Sequence, residues 1–207
     1  VAVGLRERNK QDKLDRIVGA AAELFAEKGF DAATGRDISR RAGIGTGTLF
    51  TYVRDKRELL FLVFRADALR LLEEAEAASA RKRDVVNALV ALFSPFIRFY
   101  ATRPGLSRLF VRELFFRRPD ETRGMDALDR RLGAAVAAVL ERARERGDLR
   151  PEVRPAVALP AVMAQYGFVI QAWLGSGSLP ESQVVPTLRS GLELLMEGLA
   201  RSKRGRS

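Results

Sequence analysis

The chain contains no cysteine and no histidine among its 207 residues. Without cysteine there is no disulfide framework, thiolate nucleophile or Cys-based zinc site. Without histidine the commonest general base and the commonest metal ligand are missing too. Ser-His-Asp, Cys-His and His-Glu-x-x-His chemistry is therefore excluded. We assign no catalytic residue, no metal ligand and no cofactor, and expect a protein that is not an enzyme. Strand-like alternation is also absent, so the expected fold class is all-α. The polar run from Leu5 to Arg16 has no apolar core that could serve as a signal peptide.

Charge of one sign is scarce by comparison with the other. Lysine and arginine number 36 against 26 acidic residues, a net of +10 with a pI near 10.7. Such a balance favours a polyanionic partner, either nucleic acid or an anionic membrane surface. The stretch Ala156 to Leu174 runs 19 residues without a charge, which is bilayer-spanning length. It contains Pro160, Gln165, Gly167 and Gln171, however, and many of its apolar residues are alanines. The better reading is a helix buried on two sides, against its own core and against a partner subunit. No membrane partner is expected, and the expected location is the cytoplasm.

Helical periodicity organises the rest. Leu14, Ile17, Ala21, Leu24 and Phe25 lie on one face of a helix that Gly29 should stop. Thr34 and Asp37 have the spacing of a capping box opening a second helix. Gly43 to Thr46 is a tight connection, with Thr46 expected to cap a short helix through Tyr52. Asp55 and Glu58 open a long helix towards Ala80. Further helices are predicted over 84–102, 104–117, 122–146, 154–174 and 181–201, about nine in all. Pro95 and Pro160 should kink the helices that contain them or mark short breaks in them. The boundary between a small N-terminal domain, residues 1–56, and a larger one, residues 57–207, is placed after Lys56.

Two short helices joined by a glycine-containing turn between Thr34 and Lys56 form a helix-turn-helix pattern, whose second helix enters a DNA major groove. Ile38, Ala42, Ile44 and Leu49 would lock the pair. Gly43 would take a positive φ. Arg36, Thr46, Gly47, Thr48, Thr51 and Tyr52 would face outwards, with Arg54 and Lys56 beside them, and Arg36 has the donors to read guanine. The series Gly43-Ile-Gly-Thr-Gly47 also begins like a dinucleotide-binding fingerprint. Its third glycine would fall at Thr48, and no strand precedes it.

The run Arg16 to Phe30, then Ile38-Ser-Arg-Arg-Ala-Gly-Ile-Gly-Thr-Gly-Thr-Leu-Phe50, then Tyr52 and Lys56-Arg-Glu-Leu-Leu60 closely resembles the TetR family of bacterial transcriptional regulators. The resemblance covers about 50 residues. It implies three N-terminal helices followed by a larger helical domain that binds a small ligand and dimerises through its last two helices. Thr34 then corresponds to a cap that also touches phosphate. Arg36, Thr46, Gly47 and Thr48 correspond to residues facing bases and adjacent backbone, and Tyr52 and Lys56 to phosphate clamps. Three positions depart from the pattern. Phe50 stands where the family most often has tyrosine, which removes a hydrogen bond to phosphate, Val53 replaces an aromatic, and Ser39 replaces alanine.

The charge is not concentrated on this segment. Residues 1–56 carry an excess of three basic side chains, whereas Arg201, Lys203, Arg204 and Arg206 of the tail contribute four. Arg6, Arg8, Lys10 and Lys13 are candidates for reaching the DNA backbone or minor groove.

Downstream the chain is aromatic. Phe93, Phe96 and Tyr100 fall at i, i+3 and i+7, on one helix face, with Phe110, Met125, Met163, Tyr166 and Trp173 following. Core packing is the plain reading of any one of them. Together, with Pro95 in the same helix, they suggest a pocket for a small, largely apolar or aromatic effector. Leu188, Leu192, Leu195 and Leu199 form a stripe on the last helix, while Gly191 and Gly198 permit close helix approach. Paired with the segment containing Gly167, they suggest a homodimer about a twofold axis, and hence a palindromic double-stranded DNA operator. Ligand entry would shift the sixth helix and, through the long helix from Asp55, change the spacing of the two reading heads. A ligand-responsive repressor leads, against an architectural DNA-binding protein and a histidine-free enzyme.

Overall fold

The computed structural model describes residues 4–115 and 125–199, without the side chains of 5, 6 and 126. The Arg6 side chain and the basic tail from Arg201 lie outside the described residues, as do the predicted helix bounds at Arg117 and Thr122. Among the described residues the fold has nine α-helices, one π-helical turn and no strand. These are α1 (Leu5–Ala32), α2 (Gly35–Arg41), α3 (Thr46–Tyr52), α4 (Lys56–Ala80), α5 (Val85–Thr102), α6 (Pro104–Phe115), α7 (Met125–Glu145), α8 (Pro155–Ile170) and α9 (Glu181–Leu199). The π-helical turn, Gln171–Gly175, directly follows α8.

Local chemistry sets most of these boundaries. Gly29 has φ 80°, left-handed backbone that ends the regular part of α1, and one loose turn follows it. The Thr34 hydroxyl accepts from the Asp37 N–H while the Asp37 carboxylate accepts from the Thr34 N–H, both at 3.2 Å, so the capping box is complete. Gly43 takes φ 67° between α2 and α3. Asp55 accepts from the Glu58 N–H at 2.9 Å at the start of α4, and Asp84 from the Asn87 N–H at 2.7 Å at the start of α5. Pro155 occupies the first turn of α8, where no N–H is needed.

Other expectations are corrected. Thr46 is not a cap: Gly45 holds the extended backbone that precedes α3, and Thr46 is already helical. The helices run continuously through Pro95, Pro160 and also Pro186, so these prolines do not divide them.

The described residues group into two compact units, 4–67 with 112–115 and Met125, and 68–111 with 126–199. In the first, α1 packs on α2 and α2 on α3. Ile17, Ala21, Leu24, Phe25, Ile38, Ala42 and Leu49 form its buried centre. In the second, α9 packs against both α5 and α8, around Leu89, Leu92, Phe93, Val162, Val169, Leu188 and Leu192. Both α4 and α6 contribute residues to each unit.

Candidate functional site

The first unit presents one polar face built on short, tightly fixed helices. Thr34, Arg36, Thr46, Gly47 and Thr51 are exposed, while Thr48 and Tyr52 are half-buried. Beneath them Ile38 and Leu49 are essentially inaccessible and Ala42 is buried, so a small apolar centre holds α2 and α3, with the expected Ile44 only half-buried. Ser39, buried on the inner side of α2, donates to the Gly35 carbonyl. Its hydroxyl lies 3.2 Å from that of Thr46, a hydrogen bond joining the two helices. The sequence marked Ser39 only as a departure from a family pattern; in the fold it positions Thr46.

Ion pairs fix the frame around this face. Asp37 takes Lys28 at 2.6 Å and the Thr34 hydroxyl at 2.7 Å. The Lys28 hydrogen bond, followed by those from Thr34, holds the Asp37 carboxyl far below the ordinary carboxylate range. Arg41 grips Glu27 through two nitrogens, which lowers the Glu27 pKa. Glu58 is buried and accepts from the Arg54 N–H at 2.7 Å.

Lys56 is placed differently from a free phosphate clamp. Its ammonium donates to the Phe30 carbonyl at 2.8 Å and the Asp31 carbonyl at 3.2 Å, and lies 4.4 Å from the centre of the Phe30 ring. These contacts engage it with the loose turn after Gly29. Elsewhere, Lys10 and Lys13, one turn apart on α1, line a cleft with Glu7, Asn9 and Tyr52. They are exposed. Because α1 begins at Leu5, the expected arm is helical over these lysines and holds both on one side.

The second unit buries most of the predicted effector residues. Phe93 stacks on Tyr166 with centroids 4.3 Å apart and planes 10° from parallel, and the Tyr100 and Phe110 rings lie 6.2 Å apart. The Tyr100 and Tyr166 hydroxyls are hydrogen-bonded to each other. Burial pushes the Tyr100 pKa up to about 12 and raises that of Tyr166 well above the usual phenol value. Phe96 and Trp173 are buried and Met163 is half-buried. Met125, also buried, belongs to the first unit. Ser107, buried one turn before Phe110 on α6, has a hydroxyl without a hydrogen-bond partner. The π-helical turn places Trp173 where the helix has widened, a feature common at functional sites.

The expected interface residues divide. Leu188 and Leu192 are fully buried within the chain and serve its own core. Leu195 is half-buried. Gly191 faces the Gln165 amide so closely that a Cβ there would overlap it, which explains the close approach of α8 and α9. Gly198 has open space beside it, and Gly167 is half-buried. Among the described residues of the second unit, the large apolar side chains left in solvent are Val157 and Phe168 on α8 and Leu194 on α9, at 62%, 64% and 70% exposure. The leucine stripe missed them because it identified the inner face of α9. Two segments, Val85–Thr102 and Pro155–Gly175, are long and apolar enough to cross a bilayer, but 56% of the first is buried against 33% of the second.

Two short helices across a glycine turn with a polar outer face have the arrangement of a DNA-binding helix-turn-helix. Residues 17–63 match the family described as bacterial regulatory proteins, tetR family. The HTH-type transcriptional repressor Rv1474c of Mycobacterium tuberculosis is 28% identical over 90% of this chain and 92% of its own. Thermus thermophilus FadR, a TetR-family transcriptional repressor solved in complex with lauroyl-CoA, is similar in structure with TM-score 0.75 and 27% identity, covering 93% of this chain and 98% of that one. The Bacillus subtilis regulator FadR, solved with stearoyl-CoA, shares the fold at TM-score 0.70 and 19% identity, over 90% of this chain and 99% of that one. Residues 17–63 thus match the DNA-binding segment of TetR-family regulators, and over most of its length the chain is similar to transcriptional repressors of that family.

Proposed function

We propose that the protein is a cytoplasmic repressor that binds a palindromic operator as a homodimer and is released by a long-chain acyl-CoA. The observation that carries the operator reading is the rigid presentation of Arg36, Thr46, Gly47 and Thr48 above the buried Ile38 and Leu49. Within residues 1–56, Thr34 and Tyr52 are phosphate contacts flanking this face, and Lys56 joins them only by giving up part of its hold on Phe30.

Dimerisation, with effector binding, belongs to residues 57–207. Its support is α8, which is apolar all round yet only one-third covered by its own chain. Val157, Phe168 and Leu194 are the contacts proposed in place of Leu188 and Leu192, with Gly167, Leu195 and Gly198 beside them.

The acyl-CoA class rests on the lauroyl-CoA complex of the Thermus relative and on the buried apolar set Phe93, Phe96, Phe110 and Trp173. Tyr100 and Tyr166 supply polar groups inside it, and the exposed Arg98 and Arg108 supply cations on α5 and α6 for the phosphates of the head group. Release runs through α4 and α6, the elements with residues in both units, and α6 ends with Glu113 paired to Arg57 of α4 at 3.5 Å. A coupling of roughly 1–3 kcal/mol is usual for such linked sites.

The test is selection of bound duplexes from random DNA, followed by titration of the winning complex with lauroyl-CoA, laurate and coenzyme A. A palindrome released by lauroyl-CoA alone is expected. A palindrome indifferent to all three would end the effector reading, and a selection without consensus would end the operator reading.

A further inference from the structure

Phe50 is a large apolar side chain at 55% exposure in the middle of the polar face. It lies one turn after Thr46 and Gly47 on α3, at i+4 and i+3, so it shares their side of the helix. Its ring is not loose. The ring tip rests against Gly35, where a Cβ would come within 3.3 Å of it, and the same position lies 3.5 Å from Leu49. The absence of a side chain at Gly35 thus makes the seat that holds the phenyl ring on the side of Arg36.

A phenyl group can neither donate nor accept a hydrogen bond to phosphate. What it offers a major groove is apolar contact, and the only apolar group on the base edges there is the 5-methyl of thymine. Given the operator reading, we infer that Phe50 is a base-reading residue that selects thymine at one position of each half-site by covering its methyl group. Arg36 and the threonine hydroxyls provide polar readout, and Phe50 adds a contact independent of charge and salt.

Duplexes carrying the selected site are prepared with each thymidine replaced in turn by deoxyuridine, which removes only the methyl. Their binding to the full chain and to Phe50→Ala is followed by anisotropy, and the selection is repeated with the variant. One replacement per half-site should weaken the unaltered protein roughly fourfold, the weight of one buried methyl. The same replacement should leave Phe50→Ala within about twofold, and the variant should lose its thymine preference there. Its dependence on salt should match that of the parent, because no phosphate contact is removed. Equal penalties in both proteins, or no thymidine whose methyl matters, would overturn the inference while leaving sequence-specific binding intact. A shallower salt dependence in Phe50→Ala would overturn it too, by placing the ring's effect on the backbone. A selection that yields no consensus would remove the operator reading and this inference with it.

Discussion

The two units hold themselves together by different means. In the first, seven-residue helices are fixed by polar ties at their ends, such as Thr34 with Asp37, Ser39 with Thr46 and Lys56 with the Phe30 carbonyl. In the second, longer helices bury aromatic and branched side chains, and the tyrosine pair is a polar contact inside an apolar region. Hydrogen bonds at helix ends specify position closely. An apolar interior is less directional, so its contents can be exchanged for a ligand of similar character. The proposed reading face thus sits where geometry is best defined, and the proposed effector residues where substitution by a guest costs least.

The largest test of this contrast is Leu49→Ala, which empties the centre of the small unit. It should cost about 3 kcal/mol and abolish operator binding, as read from urea unfolding and anisotropy. Full retention of binding would show that the polar ties suffice without the core. A smaller effect is expected from Lys10→Ala with Lys13→Ala. If both reach DNA phosphates beside Tyr52, the slope of log affinity against log salt should fall by about 1.8 while base preference stays fixed. An unchanged slope would leave the cleft as a solvated surface.

The smallest effect is in the second unit. The folded-state pKa of Tyr100 is raised, so the stability linked to its protonated form is fully present below about pH 10. It is lost as the pH rises towards about 12. Tyr100→Phe should therefore be less sensitive to unfolding across that interval, measured by circular dichroism. A variant as alkali-sensitive as the parent would separate this hydroxyl from the pH response.

The features legible in the sequence were those governed by neighbours along the chain. The Thr34–Asp37 box, the Asp55 cap, the stop at Gly29 and the turn at Gly43 each depend on a few adjacent residues. Thr46 failed as a cap by one position, because the extended backbone falls at Gly45 and a hydroxyl one residue later cannot perform that role. The contacts of Lys56 were not legible for another reason: its partners, the Phe30 and Asp31 carbonyls, lie 26 and 25 residues away. Likewise the leucine stripe of α9 revealed an apolar side, but periodicity carries no information on whose atoms cover it. Leu188 and Leu192 meet their own chain, whereas Leu194 meets solvent.

The division of α8 and α9 into separate faces also bears on how such regulators diverge. Gln165, Gly191, Leu188 and Leu192 hold the two helices together, while Phe168 and Leu194 project from other sides of them. After a gene duplication, the outward pair is free to drift without disturbing the interlock beneath. With the proposed dimer, two sister chains in one cell can therefore cease to recognise each other while each keeps its fold and its helix-turn-helix.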